Sequence, residues 1–171
     1  MFRTNDFSSY NSDILDHGLN VAVVHITAKV LPSGFDVSEI APSSYDELVA
    51  HFESGKRLTV YSGGSDHTIF GDPEVNHHFR AWHDWCHYTG KHDFSMRGEY
   101  AVYEMQCGHL VALYGDGEQT RRWRSILFAD GMGQKAFHEK HSAFPEDQLA
   151  FVKAFLAKPP LELLGILADA A

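Results

Sequence analysis

Basic residues are scarce in this chain. It has 14 Lys and Arg against 23 Asp and Glu in 171 residues, a formal net charge of −9 with neutral histidines. That balance argues against an extended nucleic-acid binder, which needs a basic footprint along the phosphate backbone. It leaves room for a small anionic substrate held by a metal or a few local cations. Cysteine is nearly absent. Cys86 and Cys107 sit in helix-like apolar patterns, which read as buried reduced thiols rather than a disulfide or metal ligands. No apolar run approaches the roughly 18 residues that span a membrane. The opening, MFRTNDFSSYNSD, is polar and lacks a signal pattern. These two absences point to a cytoplasmic protein. The phosphate-cradling G-x-x-x-x-G-K-[ST], the dinucleotide G-x-G-x-x-G and the nucleophile elbow G-x-S-x-G are all missing. The loop from Tyr61 to Asp66 is therefore read as a glycine turn.

Apolar residues make up 44% of the chain and aromatics 13%, enough for one domain over 1–171 with a real core. Residues 1–20 read as an irregular segment. Val21 to Leu31 is rich in β-branched residues and reads as a strand, as does Leu58 to Tyr61. Helices are expected over 45–54, 73–88, 96–114, 118–128, 134–141, 145–157 and 161–168. Asp72-Pro73-Glu74 is a strong helix start, with an Asp cap and Pro at the first position. Gly131-Met132-Gly133 is expected to break the chain between two helices. The fold class is α+β and mainly helical, a helical core with a small N-terminal β element. The apolar last helix would pack onto the chain's own core or offer a contact to a second copy, which leaves a homo-oligomer open.

Histidine is the abundant exception. The chain holds 12, and five of them lie between His77 and His92. Val75, Phe79, Trp82 and Cys86 form a core-facing helical stripe. His83 and His87 stack at i, i+4 on its border, where a ligand is partly dry yet reachable. Imidazoles and a carboxylate, Asp84, on one short segment suit a divalent ion: Mn, Mg, Fe, Zn or Ni. If the next helix returns antiparallel, as a short connection favours, Glu99 comes back beside His83 and His87, as a ligand, an outer partner of a histidine or a general acid/base. Arg80, one turn earlier, is a candidate phosphate or carboxylate holder.

The segment HDWCHYTGKHDFSMRGE, His83 to Glu99, resembles the H-D-x-x-H…H…G-E pattern of deoxynucleotide triphosphohydrolases in the HD superfamily. That resemblance implies a metal held by His83 and Asp84 with an earlier histidine and a later aspartate. His51 is the first choice for the former, with His67 next; Asp130 is the first choice for the latter, with Asp116 next. His92 and Glu99 would then stand near the attacking water. The same segment resembles the metzincin motif of zinc peptidases, with His83, His87 and Asp93 as ligands, but Asp84 stands where that motif has a glutamate base. A longer pattern, F-R-A-x-H-D…H…G-E…G-Q, resembles a family of short proteins of tailed phages and prophages. Its elements here include Phe79, Arg80, His83, Asp84, His87, Gly98, Glu99 and Gln134. It implies a phage source and the host cytoplasm, and it carries no activity with it.

Together these readings give an expectation: a metal-dependent hydrolase of a small phosphate-containing molecule, a nucleotide being one example. His83, Asp84, His51 and Asp130 would hold the metal. His87, His92 and Glu99 would manage protons, and Arg80 and Gln134 would hold substrate. The rival from another class is a non-enzymatic phage accessory or structural protein with a structural metal or a polar histidine cluster.

Overall fold

The structure is a computed structural model that describes residues 14–170. It is mainly helical, with one small parallel β element. Helix α1 (His17–Val30) opens it and overturns the strand expected at Val21 to Leu31. The physical reason is visible in the burial. Leu19, Ala22, Val23, Ile26 and Thr27 are the buried positions, a spacing of three and four residues that only a helix brings to one face. Asp16 caps it, accepting from Leu19 N at 3.1 Å. Tertiary burial outweighs the modest helix penalty of Val, Ile and Thr, a few tenths of a kcal/mol each. His17 to Asn20, expected to be irregular, belong to this helix; residues 1–13 lie outside the described residues. Thr27 Oγ1 lies 2.8 Å from Val23 O and 3.0 Å from His78 O, which ties α1 to the histidine helix.

Strand β1 (Asp36–Ser38), helix α2 (Tyr45–Glu53) and strand β2 (Thr59–Tyr61) form a compact β-α-β unit. The strands pair in parallel, Val37 opposite Val60. A parallel pair needs a crossover, and α2 supplies it. Leu48, Leu58 and Val60 bury against Ala81 of the histidine helix, with Phe35, Phe52 and Phe94 around them. This small core seats the β unit on the helical domain.

Helices α3 (Pro73–Gly90) and α4 (Met96–Tyr114) form a hairpin. Glu99 meets His87 near the connection, while Trp82 donates from Nε1 to His109 Nδ1 at 3.0 Å further back. The two helices therefore run antiparallel, as the short connection implied. Trp82, Cys86, Val102 and Leu110 are fully buried between them. Each large apolar side chain so buried contributes about 1.5–3 kcal/mol.

The expected break at Gly131 to Gly133 is also corrected. Helix α5 (Glu118–Leu127) passes through a π-helical segment, Phe128–Gly133, directly into α6 (Gln134–His141). The glycines are absorbed by a widened turn rather than ending the helix. Such turns recur at functional sites. Helix α7 (Gln148–Ala157) starts after its cap Asp147 rather than at Pro145, and α8 (Leu161–Ala170) follows Pro159-Pro160. Among the described residues no helix is long and apolar enough to cross a membrane.

Candidate metal centre

The site is built by one helix turn, one cap and one helix start. His83 and His87 stack on α3 beside the buried stripe. Lys91 ends α3 in the left-handed conformation, φ 55°. That reversal lets His92 N bond back to His87 O at 3.0 Å. It also aims the His92 carbonyl at the His87 ring, whose Nδ1 donates to it at 2.8 Å. Nδ1 therefore carries the proton in neutral His87, and the Nε2 lone pair points into the site. Phe94 packs edge-on to the same ring, at 4.7 Å between centroids. Ser95 then caps α4 by accepting from Gly98 N at 3.1 Å, and Glu99 follows in the first turn.

Three atoms converge. His83 Nε2 and His87 Nε2 are 2.9 Å apart. Glu99 Oε2 lies 3.2 Å from His83 Nε2 and 3.4 Å from His87 Nε2. With metal–ligand bonds of about 2.1 Å, neighbouring ligand atoms sit about 3.0 Å apart in an octahedron and about 3.4 Å in a tetrahedron. The triangle thus has the dimensions of one face of a coordination sphere. These three residues could hold a divalent metal ion. Two imidazoles and one carboxylate suit Zn, Fe, Mn or Ni better than Mg, which prefers oxygen ligands.

The electrostatics follow from the packing. Burial works against charge on His83, but Glu99 outweighs it and holds the His83 pKa above its usual value. Burial likewise works against the Glu99 carboxylate, yet His83 and His87 hold it well below the ordinary range. Burial pushes Asp84 up to about 6, against the pull of His83 and His87. It pushes Asp130 up to about 7, against the Gln134 hydrogen bond and the charges of His83 and Arg80.

A pH dependence results. An acid whose folded pKa is raised favours the native state less as pH climbs from its unfolded value to its folded one. Asp130 acts over the window from about 4 to about 7. His83, raised in the folded state, stabilises below its unfolded value and loses that contribution as pH passes its higher folded value. Both act in the same direction. Metal-free protein should therefore melt at a lower temperature at about pH 8 than at about pH 5.5. Asp130→Asn, which can still accept from Gln134, should narrow the difference. A melting temperature that rises over this range in metal-free protein would refute the argument.

The remaining sequence candidates lie outside the triangle, each with its own surroundings. Asp130 sits in the π segment and accepts from Gln134 Nε2 at 2.6 Å, both side chains buried. Asp130 feels the charges of His83 and Arg80, but it is not one of the three residues that converge. Asp84 accepts no hydrogen bond from the described residues. Arg80 donates to the Gly63 carbonyl at 2.7 Å and to that of Tyr61, with Gly64 O at 3.4 Å. It pins the glycine loop rather than presenting a free fork. His77, 3.2 Å from Ser65 Oγ, braces the same loop. His51 donates from Nε2 to Arg57 O at 2.7 Å on α2 and stands outside the triangle. His67 and Asp116 are exposed, Asp116 facing Arg121 and Arg124. Asp93 accepts from Ser95, and Glu99, not Asp93, completes the triangle. The His92 side chain lines an open groove with Lys91 and Arg97, while its main chain serves His87. Sequence reasoning missed that main-chain contact, whose one local signal is the Gly90-Lys91 helix stop. No family model, curated protein or solved structure matches the chain.

Proposed function

We propose that this protein is a metal-dependent hydrolase acting on a small phosphate-containing molecule, with its ion on His83, His87 and Glu99. The observation that carries the reading is a group of three possible donors, two of which keep partial exposure. His87 is fully buried, whereas the side chains of His83 and Glu99 are 24% and 16% exposed. Structural zinc sites close their sphere with four protein donors; catalytic sites use three and leave a position for water or substrate. A divalent ion there would act as a Lewis acid and make water a competent nucleophile near neutral pH. Asp84, next on the helix and without a hydrogen-bond partner among the described residues, would accept the proton that water gives up. Asp130, with a pKa near neutrality, suits the return of a proton to the leaving group. Arg80 is committed to loop carbonyls, so phosphate charge would fall mainly to the metal. The resemblance to phage proteins is consistent with this reading but adds no chemistry to it.

The test is metal content and turnover of untagged protein. Near-stoichiometric transition metal is expected, with release of phosphate or nitrophenol from nucleoside phosphates or bis-p-nitrophenyl phosphate. Turnover should stop on chelation and return with Mn or Zn. A full complement of metal with no turnover across that panel would favour the non-enzymatic reading, a structural metal in an accessory protein.

A further inference from the structure

Two histidine ligands of one ion need the same thing: a partner at Nδ1 that fixes the tautomer and the ring plane. His87 has one, the His92 carbonyl. His83 does not. Its Nδ1 is buried and has no hydrogen-bond partner. A second orphan lies on the facing helix. Gln106 is 3% exposed, and its Nε2 also lacks a partner. Its carboxamide lies beside the His83 ring. Glu99, Tyr103 and Gln106 follow one another at i, i+4 and i+7 on α4, so the helix that brings Glu99 to the ion brings Gln106 to the same side two turns further on.

We infer that Gln106 is the positioning residue for His83, its carbonyl oxygen accepting from His83 Nδ1–H and so turning the Nε2 lone pair to the metal. Turning the carboxamide about its last bond aims that oxygen at Nδ1, because the amide offers an acceptor and a donor of nearly equal size. The turn satisfies the His83 orphan and gives the buried Gln106 a function. Histidine ligands almost always carry such an outer partner, and losing it typically weakens metal binding about 10–100-fold. Glutamine is unexpected in a core otherwise built of Trp82, Cys86, Val102 and Leu110. A purely packing role would be served as well by Leu or Met. The inference rests on the metal reading of His83, His87 and Glu99.

The experiment is cobalt(II) binding to full-length protein, followed by the visible ligand-field absorption and by competition with a chelator of known affinity. The variants are Gln106→Leu, Gln106→Met and Gln106→Glu. The two apolar replacements should weaken cobalt about 10–100-fold and change the absorption band. They should leave the metal-free melting temperature unchanged or raised. Gln106→Glu, which keeps an acceptor at Nδ1, should bind at least as tightly as the parent. Parent-like affinity in both Leu and Met variants would overturn the inference. So would equal weakening in all three variants, which would mark Gln106 as a packing residue. If the parent itself binds no cobalt, the metal reading fails and the inference with it. If the parent binds but the Leu and Met variants are indistinguishable from it, only the role of Gln106 fails.

Discussion

Gly98→Ala should destabilise the protein by about 2 kcal/mol or more, although alanine is the better helix former by about 1 kcal/mol. Gly98 is in the first turn of α4, and its N–H is held by the Ser95 cap. A Cβ there would stand 1.9 Å from the Asp93 carbonyl oxygen and 2.7 Å from Asp93 Oδ1. The obstacle is backbone, not the end of a flexible chain. Asp93 cannot easily step aside, because its carboxylate accepts from both Ser95 N and Ser95 Oγ. Overpacking of this kind costs about 3 kcal/mol, which outweighs the propensity gain. The melting temperature should fall by about 5 °C or more. A second effect should travel with it. Asp93 directly follows His92, whose carbonyl orients His87, so any shift of that peptide reaches the metal centre. Metal affinity should therefore fall in whatever fraction stays folded. A thermal midpoint within about 2 °C of the parent, with unchanged metal affinity, would refute the argument.

That constraint also explains why a glycine precedes Glu99, and it marks how far the sequence could be read. The Asp72-Pro73 start, the i, i+4 placement of His83 and His87 and the short α3–α4 connection are local signals. They were enough to bring Glu99 beside the two histidines, because an antiparallel hairpin leaves little freedom in register. Helix α1 failed for the opposite reason. Its β-branched composition favours a strand, and only burial against α3 settles the question. Strand β1, Asp-Val-Ser, is too short and polar to carry a pattern and exists because α2 returns the chain alongside it. The π segment was hidden because Gly131 and Gly133 look like a break, whereas buried neighbours on both sides hold the helix together. Metal-donor identity was the hardest to read. His51 and Asp84 are plausible by residue type; spacing placed Glu99 beside the histidines but did not say which carboxylate would join them in the triangle.

Glu99→Gln tests that last step, and its effect should be large. Glutamine has the size of glutamate but offers a neutral, far weaker donor. Zinc-finger sites bind with about 10–16 kcal/mol shared over four ligands, or roughly 2.5–4 kcal/mol for each. Removing one donor of three should weaken binding of Zn, Mn or Co by at least about a hundredfold, some of the loss being recovered by water. Whether the fold survives depends on His83. Taking one partner from a buried ion pair ordinarily costs about 3–5 kcal/mol, because the other charge is left stranded. A histidine can escape by losing its proton. Once Glu99 no longer holds its pKa up, His83 should be neutral at about pH 8, so the metal-free variant should melt close to the parent there and below it at about pH 6. Proton release supplies an independent readout. In the parent, a metal must displace the proton that Glu99 favours on His83, so binding enthalpy should depend on the ionisation enthalpy of the buffer. In Glu99→Gln that dependence should shrink. Undiminished affinity in a variant that folds at pH 8 would remove Glu99 from the coordination sphere and refute the three-donor centre.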